Sequence, residues 1–113
     1  MRQFSVKYLE EAKMFLNSIE AKAMKKILFN IDIAMQVNDP RLLKKLSGDI
    51  WEFRTQYGNL QYRLLAFWDK KEAHDTLVIA THGIIKKTDK MPAKEIQKAE
   101  QIRHNYFINY DKH

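Results

Sequence analysis

The sequence contains no cysteine, so disulfides and thiolate metal sites are excluded, which fits a reducing compartment. It has only three glycines and two prolines in 113 residues. With so few breakers, nearly the whole chain is expected to be regular structure. No apolar run approaches the length that crosses a bilayer, so no membrane partner is expected. The first residues, Met1 to Lys7, lack an apolar signal core, and a cytoplasmic location is expected. No glycine-rich phosphate loop and no serine nucleophile elbow occur. The four histidines, His74, His82, His104 and His113, are scattered without ligand spacing, so neither a metal nor a cofactor is expected. Glu10 and Glu11 are adjacent and point in different helical directions, so they cannot act as a pair.

What is present is apolar substance and positive charge. A hydrophobic fraction of 45% with 12% aromatics is that of a folded chain rather than a disordered tail. The length suits one domain, residues 1–113, around one core. A net charge of +6 and a pI near 9.5 favour a polyanionic partner, with a merely solubilising basic surface as the alternative.

The pattern along the chain gives strand, helix, helix, three strands, helix. Arg2 to Val6 can form a short strand. Tyr8, Leu9, Ala12, Phe15, Leu16 and Ile19 then share a helical face. Met24, Ile27, Leu28, Ile31, Ala34 and Met35 share another. Asn17-Ser18 is the best break, with Ser18 a possible cap for the second helix, although one long helix remains open. Pro40 ends the helical region, and Arg41 to Asp49 reads as a basic linker. Period-two alternation follows in Ile50 to Arg54 and in Tyr62 to Trp68, around a turn at Tyr57-Gly58-Asn59. Asp69 to Glu72 is a charged turn, and Thr76 to His82 is apolar on both faces, as in a central strand. Pro92 opens the last helix, with Ile96, Ala99, Ile102 and Tyr106 as its stripe.

The cations concentrate near the strands. Arg54 and Arg63 lie on neighbouring strands of a hairpin, and Lys86 and Lys87 follow the third strand. Converged on one face, they would hold a phosphate and stabilise charge developing on it. The competing reading pairs Arg54 with Glu52 or Asp49, and Arg63 with Asp69, as ordinary ion pairs. His82 is either a proton carrier or a buried strand-end residue. Trp51, Phe53, Tyr62, Phe67 and Trp68 read as core rather than as a base-stacking platform.

Four segments together resemble the HigB/RelE-like toxins of bacterial type II toxin–antitoxin systems, in the branch described as phage-derived. They are Leu46-Ser47-Gly48-Asp49-Ile50-Trp51-Glu52-Phe53-Arg54, Tyr62-Arg63-Leu64-Leu65, Ile84-Ile85-Lys86-Lys87-Thr88 and Pro92-Ala93-Lys94-Glu95-Ile96-Gln97-Lys98-Ala99. The resemblance implies an α+β fold, with a mainly antiparallel sheet of about four strands, an N-terminal helix pair and a C-terminal helix. It implies a ribosome-dependent mRNA endonuclease that uses the substrate's own 2′-hydroxyl, and a cognate antitoxin of the helix-turn-helix type. By position, Arg54 and Arg63 would hold the phosphate, with Lys86, Lys87 and His82 stabilising charge or moving a proton. Lys44, Lys45, Lys90 and Lys94 would meet RNA or the ribosome. The best-known RelE pattern has lysines where this chain has Ile50 and Glu52, and a tyrosine where it has Met91 to Lys94. His82, His104 and Tyr106 are the available substitutes. Two other functions stay open: a non-catalytic gyrase poison of the ParE type, and a plain basic nucleic-acid-binding module.

Overall fold

The fold was obtained as a computed structural model, which describes residues 3–70, 77–87 and 90–110. The chain order is β1 (Ser5–Tyr8), α1 (Glu10–Ser18), α2 (Ala21–Gln36), β2 (Leu43–Ser47), β3 (Ile50–Tyr57), β4 (Leu60–Asp69), β5 (Leu77–Lys86) and α3 (Ala93–Tyr110). The strands form one sheet in the order β1-β5-β4-β3-β2. β1 runs parallel to β5, and every other pairing is antiparallel. The class is α+β, with five strands where the sequence predicts about four.

Period-two alternation in β3, β4 and β5 divides two apolar layers between the faces of the sheet. Phe53, Tyr62, Leu64, Ala66, Val78 and Ala80 meet Ala12 and Leu16 of α1 and Ala23, Ile27, Ile31 and Ala34 of α2. Ile50, Leu65, Phe67 and Ile79 face the other way, toward Ala99 of α3 and Met91. Central strands clothed on both sides are therefore apolar on both sides.

The additional strand is β2, inside the segment that reads as a basic linker. Leu43 packs into the α1/α2 layer and Leu46 into the α3 layer, so no period-two apolar run is visible. The lysines between them are tolerated because β2 is an edge strand. β5 also runs four residues past His82, to Lys86. Gly83 does not end it: a Cβ there would fall inside the ring of Phe15, so α1 sits directly on the strand backbone. Gly48 and Gly58 do make turns, at φ of 56° and 61°.

The helix pair is broken where expected, between Ser18 and Ala21, which rules out one long helix. Ser18 does not cap α2, however. Its hydroxyl donates back to the Phe15 carbonyl at 2.7 Å, while Glu20 holds the cap position without a side-chain bond. Tyr8 belongs to β1 rather than to a helix. Pro92 lies just before α3, and its carbonyl accepts from the Glu95 amide at 3.0 Å. Arg2, the Lys71-Glu72 half of the charged turn, His74, Thr76, Thr88 and His113 lie outside the described residues. Among the described residues, no helix is long and apolar enough to cross a membrane.

Candidate functional site

Strand register decides which polar side chains meet. Arg54 lies directly opposite Arg63, Lys44 opposite Glu52, Gln61 opposite Lys86, and Leu65 opposite His82. Directly paired residues share a face, as do residues two apart. Lys44, Glu52, Arg54, Gln61, Arg63, His82 and Lys86 therefore all lie on the face that α3 covers.

At its centre one carboxylate serves two guanidinium groups. Glu52 Oε2 is 3.5 Å from Arg54 Nε, and Glu52 Oε1 is 3.5 Å from Arg63 Nε. Side-chain exposures are 3% for Glu52, 5% for Arg63 and 33% for Arg54. At 3.5 Å these are ion pairs rather than hydrogen bonds, and among the described residues Glu52 Oε1 and both Nε atoms have no hydrogen-bond partner. Arg63 is fixed instead through its outer nitrogens, which donate to the Tyr62 carbonyl at 2.9 Å and to Gln61 Oε1 at 3.2 Å. Burial pushes the Arg63 guanidinium below its ordinary pKa, Glu52 opposes that, and the Arg54 charge adds to it. Two cations over one anion leave a surplus of positive charge, and Arg54 is the arginine that reaches solvent.

The two readings of the arginines thus combine. Arg54 pairs with Glu52, as an ordinary strand pair would. Arg63 turns to the same carboxylate and not to Asp69, which accepts instead from the Tyr106 hydroxyl at 2.8 Å. Lys86 is buried at the end of β5, and Lys87 beyond it is exposed. Lys90 and Lys94 are exposed on the approach to α3 and in its first turn. Lys44 lies on the arginine face, but Lys45 pairs with Trp51 and lies on the opposite face, so alternation separates two lysines adjacent in sequence.

His82 is inside the protein rather than at a strand end, with 4% of its side chain exposed. Its Nδ1 is 3.0 Å from Thr81 Oγ1, and its Nε2 is 3.1 Å from Glu95 Oε1 in the first turn of α3. A neutral ring protonated at Nε2 donates to Glu95 and can accept the single Thr81 hydroxyl proton, for which the Leu65 carbonyl at 3.2 Å competes. Burial lowers the His82 pKa below 6.5. The Glu95 hydrogen bond opposes this, and the Lys98 charge adds to it. The unfolded ring then takes a proton more readily than the folded one, so the contribution is complete above pH 6.5 and is lost as pH falls from there through the depressed folded pKa. Urea denaturation from pH 7.5 to 5.5 is expected to show falling stability, and His82→Gln should flatten that slope.

Tyr106 and His104 do not reach the arginines. Tyr106 is held at the Asp69 end of β4, six residues or about 20 Å from Arg63. His104 is exposed, nine residues or about 14 Å along α3 from Glu95. Among the described residues, no three metal-ligating side chains gather. Glu52 is the residue that a search for cations passes over. Its signal was alternation, which puts it on the Arg54 face beside the incoming Arg63.

The family of phage-derived Gp49-like proteins (DUF891) matches residues 14–104. The chain belongs to this family. These are RelE-like, toxin-like proteins. The match runs from α1 into α3 and includes every residue of the site just described. No curated protein matches the sequence.

Proposed function

We propose that this Gp49-like chain is the toxin of a type II toxin–antitoxin pair, a HigB/RelE-like ribosome-dependent mRNA endonuclease acting in the cytoplasm. The observation behind the proposal is the pair of arginines on adjacent strands that share the buried carboxylate of Glu52. Such a cluster carries more positive charge than its own carboxylate neutralises, at a place where one guanidinium meets solvent. A phosphate diester supplies the missing negative charge.

In the reaction the 2′-oxygen of a nucleotide attacks its own 3′-phosphorus. The O2′–P bond forms, the P–O5′ bond breaks, and the products are a cyclic phosphate and a 5′-hydroxyl. One proton leaves the 2′-hydroxyl and one is delivered to the departing O5′. Arg54 is assigned the phosphate oxygens. Arg63 acts from behind, holding Glu52 and through it Arg54, rather than touching RNA. Lys86 supports the charge from β5, and exposed Lys87 is the proton carrier. His82, committed to Glu95 and Thr81, is left out of the chemistry. Lys44, Lys90 and Lys94 contact RNA or the ribosome, and the cognate antitoxin acts by covering this face.

Induction in a bacterial host tests the proposal. Growth arrest should come with new mRNA 5′ ends inside translated codons, and Arg54→Ala should reduce cleavage by about 10²–10³-fold. Arrest without such ends would favour the gyrase-directed reading, which the burial of His82 and Arg63 supports. Loss of supercoiling in reporter plasmids would then be the confirming result.

A further inference from the structure

At the other end of β3 and β4 is a second site that the cleavage chemistry does not use. A groove of about 900 Å³ is lined by Trp51 and Trp68, by Lys45 and Lys70, and across its rim by Arg103 and Phe107. That volume lies within the range of small-ligand sites. The two indoles are half-buried rather than part of the core, and they meet edge to face, with centroids 5.6 Å apart, while Lys70 Nζ lies 5.7 Å over the Trp68 ring. The acids in the lining are already engaged. Asp39 is bound by Arg41 at 2.9 Å, and Asp49 faces Arg103 at 3.6 Å. Lys45 and Lys70 form no ion pair among the described residues, so the groove is cationic as well as aromatic.

We infer that this groove binds a single-stranded RNA segment, with a base against the indoles of Trp51 and Trp68 and phosphates on Lys45 and Lys70. Aromatic surface flanked by unneutralised cations is the composition that single-stranded nucleic acid requires, because every base has a π face and every linkage a charge. The groove also connects with the arginine face. On the edge strand β2, Lys44 lies opposite Glu52 on one side and Lys45 opposite Trp51 on the other. A strand held at Arg54 can cross that edge on consecutive lysines. The inference rests on the RNA-binding part of the proposed function and not on cleavage.

Trp51 and Trp68 are the only two tryptophans in the chain, so its intrinsic tryptophan emission reports on this groove alone. The full chain is titrated with an eight-nucleotide oligouridylate carrying 2′-O-methyl groups, which cannot be cleaved by 2′-oxygen attack. A saturable change in emission is expected, with a salt-dependent midpoint. Lys45→Glu should weaken binding about tenfold and Trp51→Phe about fivefold, with unchanged far-UV circular dichroism. No response, or wild-type affinity in Lys45→Glu, overturns the inference. An equal response to an octaglutamate peptide also overturns it and points to an acidic protein partner instead. Binding without new mRNA ends in cells would leave the groove in place and remove the nuclease. New ends without an emission change would do the reverse.

Discussion

Glu52→Ala is expected to destabilise the protein by about 3–5 kcal/mol, read as a lowered urea midpoint with little change in slope. The carboxylate is almost fully buried and is shared by Arg54 and Arg63. Truncating it leaves Arg63 buried beside another cation, with no anion near its Nε. Desolvation already strains that guanidinium, and Glu52 is the main influence opposing it. A loss of this size is a large part of what a domain of this length possesses. The double replacement Glu52→Met with Arg63→Met should recover much of the loss, because an apolar pair needs no counter-charge. Arg54, one-third exposed, can then be hydrated. A loss below about 1 kcal/mol in Glu52→Ala would mean that the three groups are effectively solvated and do not form a buried cluster.

The second large effect is expected at Phe67. Phe67→Ala should lower stability by about 3–5 kcal/mol. Its ring is fully buried in the α3 layer and packs on Tyr106 and Phe107 at centroid distances of 5.3 and 5.6 Å. The cavity would open between the sheet and α3. Beyond the global loss, hydrogen exchange should quicken in α3 before it quickens in β4 and β5, because α3 touches the sheet mainly through this layer. Uniform acceleration across the strands would show that α3 and the sheet open as one unit.

How legible these features were in the sequence depends on how local they are. Trp51 and Phe53 alternate with Glu52 and Arg54, and that period places Glu52 and Arg54 on one face, whereas Arg63 joins them only through the register of β3 with β4. Pro92 marked the start of the last helix because a ring-locked φ is a local fact. β2 could not be read the same way. Its two leucines serve opposite layers, and only β3 beside it gives Lys44 and Lys45 their separate faces. The strand reading stops at His82, one residue before Gly83, whose role depends on Phe15, which is distant in sequence. The same holds for the site. Cation clustering was visible, whereas the depth of Arg63 and His82 is set by α3 packing, which no short-range pattern encodes. The match to Gp49-like proteins spans all four motif segments, and the proton-transfer residue of the proposed reaction is assigned by accessibility rather than by motif.

The parallel pairing of β1 with β5 has a temporal consequence. Ser5 pairs with Leu77, and on the described sheet β1 has no other neighbour. During synthesis β1 is made before its partner, which follows 72 positions later. So distant a closure is entropically unfavourable and is expected to be slow. α3, which packs on the arginine side of the sheet, is made later still. The Glu52, Arg54 and Arg63 cluster therefore lacks its completed setting until α3 has been made.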